Sequence, residues 1–255
     1  MNAHLVAFPR EASVEQHPSL LPAIEVTGLG KTYELRPVLR NISFTLKAGG
    51  TAALLGANGA GKTTLLRILA TLVKPSAGQG TVMGYDVVRD AAALRRLIGY
   101  VGHQPHVYDD LTARENLLFF ARMYGLAGAA KRTDALLERV GLRAKSRERV
   151  RTLSRGQTQR LAIARGILHE PRLLLLDEPD TGLDEEASTL LDELITERAA
   201  TGGATLLTTH NIAHGLSRGE DTLVLAGGRL TYNGPSRALS PGDVRELFVA
   251  RRRER

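Results

Sequence analysis

A glycine-rich segment restricts what this chain of 255 residues can fold into more than any other feature. The segment is Gly56-Ala57-Asn58-Gly59-Ala60-Gly61-Lys62-Thr63. The apolar run Thr51–Leu55 predicts a buried strand before it, and the apolar spacing over Lys62–Val73 predicts a helix after it. Glycine lets successive backbone N–H groups turn toward one point, and the positive end of the following helix faces that point too. The unit therefore predicts a phosphate-binding loop of the GxxxxGK(S/T) type.

Each part of this loop has an expected role. Lys62 would reach the β- and γ-phosphates of a nucleotide, and the Thr63 hydroxyl would bind Mg²⁺. The remaining positions would surround the phosphates with backbone N–H groups. The expected nucleotide-binding residues are Gly56, Ala57, Asn58, Gly59, Ala60, Gly61, Lys62, Thr63 and Thr64.

Two acidic residues follow a second apolar run, Leu173–Leu176, which predicts a buried strand. Asp177 would complete the Mg²⁺ site, because a strand that ends in Asp beside a phosphate loop supplies that ligand. Glu178, one residue further, would orient or deprotonate the attacking water. The alternative is a strand that runs into an acidic turn, and the upstream phosphate loop favours the catalytic interpretation.

Short apolar runs alternate with helical segments along the chain, which is typical of an α/β core with a parallel sheet. Apolar and polar residues alternate at Ile24–Val26 and Ser43–Leu46, which indicates half-buried antiparallel strands, and Gly227-Gly228 indicates a hairpin. Further strands are predicted at Ile98–Gly102 and Ala204–Thr208, and helices at Thr112–Tyr124, Thr133–Val140, Gln157–Leu168 and Glu185–Ala200. We expect a flexible N-terminal extension over 1–22, one domain over 23–240 with a helical insertion at about 105–170, and a basic tail over 241–255.

Composition excludes several classes of protein. The chain has no cysteine, which excludes a disulfide framework, a zinc finger and an iron–sulfur cluster held by thiolates. No apolar run approaches the roughly 18 residues of a membrane helix, and no secretory signal is evident, so a cytoplasmic protein is expected. The net charge of +7 suggests nucleic acid at first. However, residues 131–172 hold 12 basic and 4 acidic groups, whereas 173–250 hold 5 and 13, and solvated helix faces account for most of such blocks.

Several further motifs together resemble the ATP-binding subunits of ABC transporters. Leu153-Ser154-Arg155-Gly156-Gln157 is similar to the LSGGQ signature of that family, and it precedes the acidic strand. Asp180-Thr181-Gly182-Leu183-Asp184 resembles the family's D-loop. Tyr33, Gln104 and His210 occur in the family's order as the adenine-stacking aromatic, the Q-loop glutamine and the switch histidine. The resemblance covers about 24–235 and implies a P-loop NTPase (RecA-like) core with an antiparallel β-subdomain and a helical insertion.

The resemblance also implies roles for these residues. His210 would contact the γ-phosphate, Gln104 would sense Mg²⁺ and the attacking water, and Glu178 would be the catalytic base. The implied Mg²⁺ ligands are Thr63, Gln104 and Asp177. Ser154, Arg155, Gly156 and Gln157 would face the γ-phosphate held by a second ATPase subunit, so that two chains enclose two ATP molecules. Asp184 is the D-loop aspartate, and Arg155 departs from the family's usual glycine.

Partners and location follow from the same resemblance. We expect a second ATPase subunit, transmembrane permease subunits and a peripheral location on the cytoplasmic, inner face of the cell membrane. Two stretches, Tyr100–Pro105 and Tyr108–Leu117, are similar to the ATP-binding subunit of the haem exporter of cytochrome c biogenesis. The alternative is an ATPase of an ABC-2-type drug, polysaccharide or lipid exporter. A non-transport ABC ATPase is less favoured, and nucleic acid is an improbable partner because aromatic residues make only 4% of the chain.

Overall fold

The computed structural model describes residues 21–249, which form two sheets and eight α-helices. The strands are β1 (Ile24–Tyr33), β2 (Arg36–Leu46), β3 (Thr51–Gly56), β4 (Ala77–Val82), β5 (Tyr85–Asp86), β6 (Ile98–Val101), β7 (Leu173–Asp177), β8 (Ala204–Thr208), β9 (Asp221–Ala226) and β10 (Arg229–Pro235). The helices are α1 (Lys62–Leu69), α2 (Ala91–Leu94), α3 (Ala113–Met123), α4 (Ala129–Arg139), α5 (Arg155–Ile167), α6 (Glu185–Ala200), α7 (Ile212–Arg218) and α8 (Pro241–Val249).

The larger sheet has the order β10-β9-β3-β8-β7-β6, and all of its neighbouring pairs are parallel except β9 with β10. Strands β3, β7 and β8 are buried along their whole length, as expected for parallel strands covered on both faces. Their carboxyl ends lie at one edge, where Asp177 pairs with Thr208 and β3 ends at Gly56. This is the edge at which open parallel sheets bind ligands.

The smaller sheet has the order β2-β1-β4-β5 and is antiparallel, which confirms the predicted antiparallel unit. Its apolar side, including Leu29 and Leu39, joins one core with Leu65 and Leu69 of α1. Strand β4 was not predicted, because its sequence Ala-Gly-Gln-Gly-Thr-Val contains two glycines and little β-branched material. The core cluster fixes this sheet beside the start of α1.

The predicted helical insertion is present between β6 and β7 as α3, α4 and α5, which share a separate apolar cluster. Helix α3 begins after a capping box in which Thr112 accepts from the Glu115 N–H and Glu115 accepts from the Thr112 N–H. Two predicted helix starts were too late: α4 begins at Ala129, and α5 begins at Arg155 because Ser154 caps it. Helix α1 ends before Val73, since Thr71 adopts a left-handed φ of 62°.

The end of the domain differs from the prediction. Residues Pro241–Val249 form α8 rather than a tail, because Val244 is completely buried in the second apolar cluster. Residues 1–20 of the predicted extension over 1–22, and the basic residues Arg251–Arg255, lie outside the described residues. Within 21–249, no helix combines the length and apolar character needed to cross a membrane.

Candidate functional site

The phosphate loop links the carboxyl end of β3 to α1 and depends on glycine at three positions. Gly59 and Gly61 adopt φ angles of 77° and 110°, which other residues rarely reach. A Cβ at Gly61 would lie 2.7 Å from the Leu39 Cδ2, and one at Gly56 would lie 2.4 Å from the Leu225 carbonyl oxygen. Gly61 also caps α1 without a side-chain hydrogen bond, so within residues 21–249 the backbone N–H groups of the first turn have no side-chain acceptor. Those groups are the donors that a phosphate would use.

Lys62 lies inside the curve of this loop. Its side chain is buried, and its Nζ donates to the carbonyl oxygens of Gly56 at 2.7 Å and Ala57 at 3.3 Å. Burial lowers the pKa of Lys62, and the nearby carboxylates of Glu178 and Asp177 oppose that shift. The loop thus holds an ammonium group against its own carbonyls at the place where phosphate oxygens are expected.

Asp177 ends β7 and is completely buried. Its Oδ1 accepts hydrogen bonds from the Thr208 hydroxyl at 2.9 Å and the Thr63 hydroxyl at 3.2 Å. Its Oδ2 is buried and has no hydrogen-bond partner among residues 21–249. A buried carboxylate oxygen without a donor, beside a hydroxyl from the phosphate loop, fits a hard cation that takes oxygen ligands.

No cluster of three or more His, Asp or Glu side chains suited to a metal occurs in the described part of the chain. A single carboxylate with a hydroxyl is what Mg²⁺ needs when phosphates supply other ligands.

Glu178 lies directly after Asp177 and has a left-handed backbone, with φ at 55°. For a residue other than glycine, such a conformation costs about 1–3 kcal/mol and is found where surrounding contacts enforce it. Here the Glu178 N–H donates to the Thr208 hydroxyl at 2.9 Å and to the Thr208 carbonyl at 3.2 Å. The Glu178 Oε2 lies 2.6 Å from the His210 Nε2, so two of the predicted catalytic residues are in direct contact.

His210 follows β8, and its side chain is 52% exposed whereas that of Glu178 is 16% exposed. The imidazole therefore lies at the surface with one ring nitrogen on the carboxylate. The arrangement gives a carboxylate that can accept a proton and a polar ring that can hold that carboxylate in place. Lys62, Thr63, Asp177, Glu178 and His210, which we name the core site, lie at the carboxyl edge of the large sheet.

The signature segment begins α5. The Ser154 Oγ accepts from the Gln157 N–H at 3.2 Å, and the Gln157 Oε1 accepts from the Ser154 N–H at 2.9 Å. A Cβ at Gly156 would lie 2.9 Å from the Gly182 carbonyl oxygen, so the D-loop passes close to this helix start. Arg155 is exposed, and with His103 and Glu178 it lines a cavity of about 180 Å³.

Asp184 caps α6, and its Oδ1 accepts from the Ala187 N–H at 2.9 Å. The Arg160 guanidinium lies 2.6 Å from the same carboxylate. The Ala187 N–H, followed by Arg160, lowers the pKa of Asp184. The D-loop aspartate therefore joins the start of α6 to the signature helix.

Tyr33 and Gln104 lie apart from these contacts. Tyr33 ends β1 and is 42% exposed, with the Lys31 Nζ 4.8 Å from its ring centroid. Gln104 lies exposed in the bend after β6, and its side chain forms no hydrogen bond within residues 21–249. Of the predicted site residues, the structure brings the five of the core site close together, whereas the side chains of Tyr33 and Gln104 lie at the surface.

Sequence reasoning missed Thr208, whose hydroxyl donates to Asp177 and accepts from Glu178. It also missed the pairing of Asp180 with Arg218, at 3.3 Å. Threonine at a strand end is ordinary, so Thr208 gave no signal in the sequence. Only the register of β7 against β8 places it beside the acidic pair.

Comparison with known proteins shows the family of the chain. A family model described as "ABC transporter" matches residues 39–181. The doxorubicin resistance ATP-binding protein DrrA of Mycobacterium tuberculosis is 42% identical over 191 residues, which are 73% of this chain and 58% of that protein. The ABC transporter ATP-binding protein NatA of Bacillus subtilis is 36% identical over 220 residues, covering 84% of this chain and 89% of NatA. The Nod factor export ATP-binding protein I of Rhizobium johnstonii is 38% identical over 224 residues, which are 87% of this chain and 72% of that protein.

Two solved structures show the same fold. An ATP-binding subunit of an ABC transporter superimposes with a TM-score of 0.82 at 31% identity, covering 88% of this chain and 99% of the other. An ATP-binding cassette, solved as a dimer in a post-hydrolysis state with ADP and Pi, gives a TM-score of 0.75 at 28% identity, covering 85% and 100%. Both comparisons extend well beyond the phosphate loop.

Proposed function

Because the chain belongs to the ABC transporter family, as an ABC-type ATPase domain with the P-loop NTPase fold, we propose that it binds ATP and Mg²⁺ and hydrolyses ATP to drive an exporter. The observation that carries this proposal is the set of contacts at the core site: Thr63 with Asp177, Glu178 with His210, and Thr208 with both acidic residues. These contacts bring together, at one sheet edge, the side chains to which we assign phosphate binding (Lys62), Mg²⁺ ligation (Thr63 and Asp177) and proton acceptance (Glu178).

The residues have distinct parts in hydrolysis. Lys62 would exchange its loop carbonyls for the β- and γ-phosphate oxygens, and Thr63 with Asp177 would hold Mg²⁺. The ion, when bound, neutralises charge that develops on the phosphates. Glu178 would accept the proton of a water whose oxygen forms a bond to the γ-phosphorus as the bond to the leaving ADP oxygen breaks. His210 would hold Glu178 and contact the γ-phosphate.

A second copy of the chain would complete the site. The signature makes no hydrogen bond with the core site among the described residues, yet the α5 helix start offers backbone N–H groups suited to a phosphate. We propose that this start, with Ser154 and Gly156, faces nucleotide bound by the other copy. The dimeric cassette bound to ADP and Pi supports such an arrangement by similarity.

Permease subunits and a peripheral location on the cytoplasmic face of the membrane complete the proposal. Two of the relatives above are named for doxorubicin resistance and Nod factor export, which favours the ABC-2-type exporter over the haem exporter. No relative described here supports haem export, which stays a prediction from two sequence stretches. The proposal gives the direction of transport, export, and names no cargo, because the chain spans 58% of the length of the doxorubicin resistance relative.

Replacement of the proposed base tests this mechanism. Glu178→Gln removes the proton acceptor but keeps the size of the side chain, so it should bind ATP with wild-type affinity and lose hydrolysis by roughly 100-fold or more. The bound ATP should also keep two copies together, which gel filtration or light scattering detects. Glu185→Gln, on the first turn of α6, is the matched control and should hydrolyse at the wild-type rate. A wild-type rate of phosphate release from Glu178→Gln would refute the role of Glu178.

A further inference from the structure

The first helix after the switch histidine carries a buried arginine. Arg218 is the last residue of α7, and its side chain is only 7% exposed. Its guanidinium donates to three side chains: Asp180 at 3.3 Å, Ser188 at 2.7 Å and Asp192 at 2.5 Å. The fork geometry of arginine thus connects α7 to α6 and to the turn that follows β7.

Asp180 is the acceptor closest to the chemistry, because it lies two residues after Glu178. Its Oδ2 accepts from the Thr209 hydroxyl at 3.0 Å as well as from Arg218. The His214 Nδ1 lies 3.9 Å from the same oxygen. The Asp180 side chain, which is 17% exposed, therefore accepts hydrogen bonds from Thr209 and Arg218, at the two ends of the segment that carries His210.

Thr209 transmits these contacts to His210, the residue that follows it. Thr209 is buried, and its Oγ1 also accepts from the Asn211 N–H at 3.1 Å. His210 itself contacts Glu178 and has no other hydrogen bond or ion pair within the described residues. Since half of the His210 side chain is exposed, the position of its imidazole depends on how firmly the backbone on either side is held.

We propose that Arg218 and Asp180 are positioning residues, which hold the His210 segment so that the imidazole stays against the Glu178 carboxylate during hydrolysis. The inference rests on the catalytic roles proposed above for His210 and Glu178. Each attachment point lies beside one member of that pair: Asp180 after Glu178, and Thr209 before His210. Arg218 and Asp180 would act through these contacts and not by touching the nucleotide.

A purely structural role makes a different prediction. If the network only packs α7 on α6, its loss lowers the melting temperature and the rate per folded molecule stays the same. If it positions His210, its loss lowers kcat and leaves the KM for ATP almost unchanged, because the phosphate loop is untouched. In that case, loss of the network also has no further effect on kcat in a variant that lacks the imidazole, because the effects of mutating groups that act as a unit are not additive.

A double-mutant cycle separates the two roles. The variants are Arg218→Met, which keeps the aliphatic volume, His210→Ala and the combination of both, measured as phosphate release per folded molecule. We expect Arg218→Met to lower kcat by about 10-fold with KM within twofold, and the double variant to match His210→Ala. Arg218→Lys should recover part of kcat. Arg139→Met, which removes an exposed ion pair to Glu197, is the matched control and should keep the wild-type kcat.

The outcomes distinguish the inference from the function on which it rests. The positioning role is overturned if the kcat losses of the two single variants multiply in the double variant, or if Arg218→Met has a wild-type kcat. A wild-type kcat for His210→Ala overturns the proposed role of His210 itself. If Arg218→Met does not fold, Thr209→Val replaces it in the same cycle, since it removes only the hydroxyl that joins Asp180 to the His210 segment. The same loss of kcat and the same non-additivity are then required.

Discussion

The two halves of the proposed ATP site are built differently. The core site is joined within the chain: Thr63 and Thr208 donate to Asp177, and Glu178 contacts His210. The signature half satisfies its polar groups locally, because Ser154 and Gln157 bond to each other. The core half contains a buried Asp177 oxygen without a partner among residues 21–249, which a bound cation would complete. In the signature half the capping box uses the N–H groups of Ser154 and Gln157, and the N–H groups of Arg155 and Gly156 have no acceptor within the same residues. This difference supports our proposal that the first half binds nucleotide alone and that the second acts only on a nucleotide held by another copy.

The largest effect is expected in the core half. Lys62→Ala removes the only cation within the phosphate loop, so ATP binding should fall below detection. Isothermal titration with ATP and Mg²⁺ measures this directly. Lys47→Ala removes an exposed ion pair with Glu220 and should bind as the wild type does. Wild-type ATP affinity in Lys62→Ala would contradict the phosphate-loop assignment.

An intermediate effect is expected in the signature half. Gly156→Asp places a negative charge in the first turn of α5, which favours the helix but repels a phosphate that approaches it. ATP affinity of the separate chains should stay within twofold of the wild type, while kcat falls by roughly 100-fold. Gly156→Ala introduces the same Cβ near the Gly182 carbonyl without the charge, and it should retain more activity. A loss of ATP affinity in Gly156→Asp would mean that the two halves are not separate.

The smallest effect on activity is expected where the helical part meets the large sheet. His169 stacks on Tyr124 with ring centroids 4.1 Å apart, and its Nε2 lies 3.1 Å from the Ile98 carbonyl oxygen. Burial lowers the pKa of His169 to about 4, below the 6.5 of an ordinary histidine. The folded state therefore binds fewer protons than the unfolded state, and stability that is complete above about pH 6.5 is lost as the pH falls toward 4.

Protonation of His169 lowers the free energy of unfolding by at most about 3 kcal/mol, at 1.36 kcal/mol per pKa unit. Urea unfolding between pH 7 and 4 measures it. His169→Phe keeps an aromatic ring beside Tyr124 but cannot be protonated, so its stability should fall less steeply with acid. Equal slopes for the two proteins would contradict the assignment, and kcat at neutral pH should change little.

The sequence was informative where one local segment carries the signal. The apolar run Thr51–Leu55, the glycines of the loop and the acidic end of β7 were all predicted at or near their observed positions. Helix α7 was missed, because it has only seven residues and includes Gly215. Helix α8 was taken for a tail, since a charged segment showed no sign that Val244 would find a place in the core.

Contacts between distant segments were beyond prediction. The bond from Thr63 to Asp177 joins residues 114 positions apart, and that from Arg218 to Asp180 joins residues 38 apart. Their proximity follows from the order of strands in the large sheet, which no local pattern specifies. The Glu178–His210 contact was foreseen as a pair of roles and not as a 2.6 Å contact, because the left-handed φ of Glu178 has no signature in the sequence.

Mixing two inactive variants tests the division of the site most directly. Lys62→Ala keeps an intact signature, and Gly156→Asp keeps an intact phosphate loop. In a mixed dimer, one of the two sites combines the intact halves, so an equimolar mixture should recover about a quarter of the wild-type rate of phosphate release. Each variant alone stays inactive at the same total concentration. A mixture no more active than its components would contradict the claim that the two halves of each site belong to different copies of the chain.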